Sequence, residues 1–238
     1  MKSTIFYQGP SMIDGSEILG ILSGLRGNSG NVKTGPMIQT WILRSDLAPV
    51  AAVHQGKDYS ICGSCKLRHY LNGCCYVLPH QAPSSLFKAA KAGQLLELAQ
   101  LKPGQLRRFN GAFKRLPIRL GAYGDPFAIP PEGWEPILSR ASKKTGWTGY
   151  CHQWKDPRSA WLQSWCLASV ESIAEKREAQ QLGWKTSRTA KDHSFERDEA
   201  ICPNQLDDSI LCADCLLCDG SKKNILGSVH GSKKGRFQ

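Results

Sequence analysis

The chain has 238 residues, 41% of them hydrophobic and 21% charged, enough for a packed core in one large domain or two modest ones, and this excludes wholesale disorder. Lys and Arg number 31 against 20 Asp and Glu, a net charge of +11, which suits either a polyanionic partner, with nucleic acid or a nucleotide first, or a plain solubility charge. No apolar run reaches the roughly 18 residues of a membrane helix, and the first ten residues lack the apolar stretch of a secretory signal, so the expectation is a cytoplasmic protein with no membrane partner.

In chain order, residues 1–36 read as a flexible N-terminal region. Within it, Gly27 to Gly35 resembles a phosphate loop but lacks the Gly-Lys pair and a preceding strand, and reads as a basic loop. Residues 38–43 and 49–53 read as a strand pair. Residues 84–98 suit a helix capped by Ser84 and weakened by Gly93. Short apolar runs then alternate with helical stretches: strands at 117–122, 147–151, 165–170 and 184–188, helices at 131–144, 158–164 and 171–182. Such alternation predicts parallel βα units, and the fold class expected is α/β, a partial (β/α) barrel over 37–200. A cysteine-rich segment over 201–220 and a basic, disordered tail over 221–238 follow.

The ten cysteines are the most informative feature, because reducing compartments rarely keep structural disulfides and clustered thiols there point to metal or redox chemistry. Cys151 and Cys166 sit singly in apolar stretches and read as small buried hydrophobes. Cys202-Pro203 with Cys212-x2-Cys215-x2-Cys218 offers four thiolates, the spacing of a [4Fe–4S] site, with zinc as the alternative metal. Cys62-x2-Cys65 and Cys74-Cys75 offer three ligands more comfortably than four, since adjacent side chains diverge. Cys62, Cys65 and Cys75 on a [4Fe–4S] cluster would leave one iron open. The same thiols could instead close a zinc knuckle with His69 or His80.

Polar residues fall at the carboxyl ends of the expected strands, where α/β folds build their sites. They are Tyr123-Gly124-Asp125, His152-Gln153, Ser169 with Glu171, and Ser187-Arg188. A basic stretch, Lys102 to Arg119, carries Arg107, Arg108, Lys114 and Arg115 with Phe109 and Phe113 between them. It reads either as a strip for single-stranded nucleic acid, with the rings as stacking platforms, or as a solvated face whose rings dock on the core.

The set Cys62-x2-Cys65, Cys75-Tyr76, Gly121-Ala122-Tyr123-Gly124-Asp125-Pro126, Gly149-Tyr150-x-His152-Gln153-Trp154 and Cys202-Pro203 with Cys212-x2-Cys215-x2-Cys218 resembles cysteine-rich proteins of unknown function in bacteriophages and mobile elements. The match spans about Lys33 to Gly220. At greater distance it is similar to radical-SAM-like partial barrels, although those enzymes use CxxxCxxC where this chain has CxxC and a third thiol nine or ten residues on. The resemblance implies a phage- or plasmid-encoded iron–sulfur protein in a bacterial host, with S-adenosylmethionine as a possible second cofactor. It also implies one-electron chemistry on a nucleotide or nucleic-acid-linked substrate. On that reading Tyr123, Gly124, Asp125 and Ser169 would bind the cofactor, with Asp125 orienting a ribose or amine. His152 would transfer a proton and Arg188 would hold a carboxylate or phosphate. The alternative is a non-enzymatic, metal-stapled nucleic-acid-binding protein.

Overall fold

A computed structural model describes residues 3–27, 31–191 and 195–237. Its nine strands form one open sheet in the order β1-β2-β3-β4-β5-β6-β7-β9-β8. Strands β1 (Thr4–Pro10), β2 (Glu17–Ser23) and β3 (Ile38–Arg44) pair antiparallel. From β3 onward every pairing is parallel, through β4 (Ile118–Tyr123), β5 (Trp147–Cys151), β6 (Leu167–Val170) and β7 (Thr186–Ala190). β9 (Asn224–Ser228) then lies between β7 and β8 (Glu199–Ile201). The fold is α/β with a mostly parallel sheet that does not close.

From β3 to β7 each strand lies beside its predecessor, always stepping in one direction. Such parallel units cross over right-handedly as a rule, which puts connecting helices on one face of the sheet. On that face Phe109 and Phe113 of α4 (Pro103–Phe113) and Trp134 and Ile137 of α5 (Pro131–Leu138) share the core with Ile118 and Leu120 of β4. Ala179 of α6 (Ile173–Gln181) joins the same core beside Ala168 and Val170 of β6. Cys151 and Cys166 are fully buried within it. Among the described residues no helix is long and apolar enough to cross a membrane.

Several expectations are corrected. Described residues of the N-terminal stretch are not flexible loop but strands β1 and β2, anchored by buried Ile5, Phe6, Ile18, Leu19, Ile21 and Leu22; residues 28–30 lie outside the description. Residues 49–54 form helix α1 (Pro49–His54) rather than a strand, because Pro49 at the helix start presets φ and two alanines follow. The tail is not disordered through 224–228: Ile225 and Leu226 are buried in β9, inside the sheet. Helix α5 stops at Leu138 instead of continuing to 144. The short helix α2 (Tyr59–Cys62) carries the first cysteine, while α3 (Ala82–Lys91) ends before Gly93, which adopts φ +66°.

Candidate functional site

The sheet face away from α4–α6 lines a cavity of about 320 Å3. Strand side chains alternate faces, and the wall follows that period: Arg119, Gly121 and Tyr123 on β4, Thr148 and Tyr150 on β5 with His152 just beyond, Ser187 and Thr189 on β7. Both cysteine groups border this one cavity, Cys62, Cys65, Cys74 and Cys75 from the first and Cys202 and Cys212 from the second.

The first group sits at the carboxyl ends of the strands. Its CxxC loop is pinned by Gln153, whose Oε1 accepts the Ser64 N–H (3.1 Å) and hydroxyl (2.9 Å), while Nε2 donates to the Cys62 carbonyl (3.0 Å). Gly63 has φ +53°, and a Cβ there would run into the Gln153 amide, so only glycine lets the loop close this tightly. Arg68 holds the loop from behind. It donates to the Gly63 carbonyl (2.8 Å) and forms a buried ion pair with Asp58 at 3.1 Å. Asp125 Oδ1 accepts the Phe127 N–H (3.0 Å) and Oδ2 the His152 N–H (2.6 Å), with the His152 Nδ1 at 3.5 Å.

Electrostatics tie these groups together. Burial pushes the Cys62 thiol well up, with Cys65 and Cys75 adding to the rise. Burial likewise pushes Cys75 to about 11. Burial opposes a charge on His152, but Cys65 and Asp125 outweigh it and hold the imidazole well above its usual value. Glu171, just past β6, is pushed by burial to about 7 and faces His152.

In the second group Cys218 lies at the amino end of β5, whereas Cys202 directly follows β8 and donates its N–H to Leu226 of β9 (2.8 Å). The Gly149 N–H donates to the Cys218 carbonyl (2.9 Å) and the Trp147 indole to the Asp219 carbonyl (2.9 Å). The Cys212 and Ala213 N–H groups donate to Lys33 and Thr34 (3.2 and 2.9 Å). Cys202 stands at the N-cap of α7 (Pro203–Leu206), and α8 (Cys212–Cys215) carries Cys212 and Cys215 ahead of Cys218. Cys218 interacts with Cys202, Cys212 and Cys215, and burial pushes its thiol to about 12. Tyr150, which hydrogen-bonds to Cys218, and His152, which feels the charge of Cys65, are two residues apart on one line, about 7 Å. Cys218 and Cys65 therefore lie at different levels along β5.

All ten cysteines are free. Among the described residues no set of three or more Cys, His, Asp or Glu side chains is drawn together tightly enough to hold one metal ion. Several thiols at each end feel one another's charge, Cys62 with Cys65 and Cys75, and Cys218 with Cys202, Cys212 and Cys215. Three polar atoms of the cavity wall, Arg119 Nε, Tyr123 Oη and His152 Nε2, are buried without a hydrogen-bond partner, and such atoms are few in folded proteins.

The cavity brings together most of the residues singled out from sequence: Cys62, Cys65, Cys75, Cys202, Cys212, Tyr123, Gly124, Asp125, His152 and Ser169. Arg188 is not among them. Its guanidinium closes on Glu199 through two bonds (2.8 and 2.7 Å), buried and on the strand face opposite Ser187 and Thr189, so it is not placed to hold a substrate. His69 is engaged by the Val77 carbonyl (2.6 Å) and His80 is exposed. The histidine beside the first thiols is His152. Phe109 and Phe113 are core residues, 0% and 2% exposed, with ring centroids 5.0 Å apart, so neither can stack on a base. Arg107, Arg108, Lys114 and Arg115 are exposed, whereas Arg119 has moved inside. Sequence reading placed Gln153 at a strand end without its clamping role and missed Arg119 as a site residue; the period of two along β4 was the available signal for Arg119.

No family model matches the chain, and neither a curated protein nor a solved structure matches it.

Proposed function

We propose that the chain is an iron–sulfur protein performing one-electron chemistry in the cavity between its two cysteine groups. One observation carries this reading: two separate thiol clusters, far apart in sequence, border the same cavity on one sheet face. Cys202, Cys212, Cys215 and Cys218 would hold a closed [4Fe–4S] centre. Cys62, Cys65 and Cys75 would hold one with an open iron, able to take a ligand and to exchange single electrons. High thiol pKa values mean that metal uptake must displace protons. His152, oriented by Asp125, would move a proton, and Tyr123 offers an unpartnered hydroxyl in the same cavity. Tyr123, Gly124, Asp125 and Ser169 would bind a cofactor or a nucleotide-like substrate, S-adenosylmethionine being the cofactor suggested by the resemblance.

On this reading the open, mostly parallel sheet would serve as a radical-SAM-like partial barrel, with the face away from α4–α6 carrying the site. Ten free thiols suit the reducing cytoplasm of a bacterial host.

Anaerobically purified protein should be brown and contain about eight irons if both centres are [4Fe–4S]. Colourless protein with stoichiometric zinc, taking up no iron on reconstitution, would overturn the reading.

A second reading, a metal-stapled nucleic-acid-binding protein, draws on a surface groove lined by Arg26, Arg108 and Arg115. Without ring stacking, binding there would rest on charge alone. Affinity for single-stranded DNA should then fall steeply with salt, and replacing Arg107, Arg108, Lys114 and Arg115 should flatten that slope. An unchanged slope would leave these residues a solvated face.

A further inference from the structure

Arg119 is a buried cation with no carboxylate partner. It is 9% exposed and lines the cavity; one Nη donates to the Tyr76 hydroxyl and Nε has no partner. No Asp or Glu among the described residues lies within ion-pair reach of it. The groups that feel its charge are the phenols of Tyr76 and Tyr150 and the thiols of Cys212 and Cys218. A guanidinium stays charged in proteins, and a buried charge left uncompensated is strongly destabilising. Of these four neighbours, the thiols are the ones that become anions under ordinary conditions, and they do so when a metal displaces their protons. Tyr150 adds a hydrogen bond to Cys218. In the other cysteine group each cation has a carboxylate: Cys62 faces Asp125 and Asp58, with His152 3.5 Å from Asp125 and Arg68 3.1 Å from Asp58.

We propose that Arg119 is the built-in counter-cation of the Cys202–Cys212–Cys215–Cys218 centre and makes it the more easily reduced of the two. This rests on the iron–sulfur reading above. Reduction adds one electron to the centre, with no bond formed or broken. A fixed cation favours that added negative charge, and a nearby carboxylate opposes it. Net charge and hydrogen bonds to sulfur are the terms by which proteins set cluster potentials.

The test is a dithionite titration of the full-length protein followed by EPR, the C-terminal signal being identified as the one lost in Cys215→Ala. In the wild type the C-terminal centre should titrate at the higher potential; the reverse order overturns the proposal without any variant. Arg119→Met should weaken reduction of that centre at least tenfold, or 59 mV for one electron, while leaving the other centre's midpoint in place. Arg119→Lys, which keeps the charge, should recover most of the loss. An unchanged midpoint in an Arg119→Met protein with full iron content overturns the proposal. If the wild type holds zinc, the iron–sulfur reading fails separately. The counter-cation is then read by chelator competition: at least tenfold weaker zinc binding in Arg119→Met supports it, and equal binding overturns it.

Discussion

Gln153 Oε1 accepts two hydrogen bonds from Ser64, from its N–H and its hydroxyl. With the Nε2 bond to the Cys62 carbonyl, one side chain at the end of β5 fixes three points of the CxxC loop. The CxxC loop is thus clamped by partly buried polar contacts, this set supplied by the strand that carries His152. Gln153→Ala should release the loop while leaving the C-terminal thiols untouched. Iron content should fall to about half under mild chelation, with loss confined to the first centre. Equal retention at both centres would show that the clamp is dispensable.

Arg68 and Asp58 make the same point from the other side of the loop. Both side chains are buried, at 6% and 3% exposure, and Arg68 also donates to the Gly63 carbonyl. Removing one partner of such a pair leaves a buried charge behind, at a cost of about 3–5 kcal/mol. Arg68→Met should lose that much in urea unfolding of the metal-free protein, and Arg68→Met with Asp58→Asn should lose less. A single-variant change below about 0.5 kcal/mol would place the pair among interactions of no consequence.

Glu171 gives a pH signature. Burial raises its carboxyl from 4.5 to about 7, with the His152 charge opposing and Glu175 adding to the rise. The folded protein therefore keeps a proton that the unfolded chain releases between about pH 4.5 and 7. Stability must fall as pH rises through that window, by about 3 kcal/mol in all. Glu171→Gln should match the wild type near pH 4 and exceed it at pH 8. Denaturation curves for the two proteins that stay parallel from pH 4 to 8 would contradict this.

The parallel strands β4 to β6 were legible as short, largely apolar runs bounded by helical sequence, while polar β7 (Thr186–Ala190) was read two residues early; the rim residues Asp125, His152 and Ser169 followed from their position at strand ends. The cysteine groups were legible from spacing alone. What sequence did not show was that they share a cavity, since β9 and the segment after Cys202 return to the sheet through long-range pairing with no local signature. β9 was hidden because Ile225-Leu226 is a two-residue apolar island among basic residues. β1 and β2 carried a readable signal, the apolar run of 18–22 after Asp14-Gly15, which the surrounding polar and glycine residues obscured. Arg119 was misplaced because charge was counted along the chain; along β4 it shares a face with Gly121 and Tyr123.

The last prediction separates Cys74 from Cys75. Both border the cavity, so position alone does not choose between them. Their neighbours do. The Cys62 thiol feels Cys65 and Cys75 but not Cys74, and Cys75 feels Cys65, His152 and Cys74. Cys74, 4% exposed, faces Cys65 and Glu171 instead, as expected when consecutive side chains diverge. Cys75→Ser should therefore remove about four irons and the EPR signal of the first centre. Cys74→Ser should keep both centres and cost only the packing of one buried sulfur, on the order of 1 kcal/mol. Cys215→Ser should lower thermal stability before it alters the first centre, because a centre with a full set of thiolates contributes mainly to folding. Iron analysis and EPR of the three variants decide the matter: loss of the first centre in Cys74→Ser with retention in Cys75→Ser would reverse the ligand assignment.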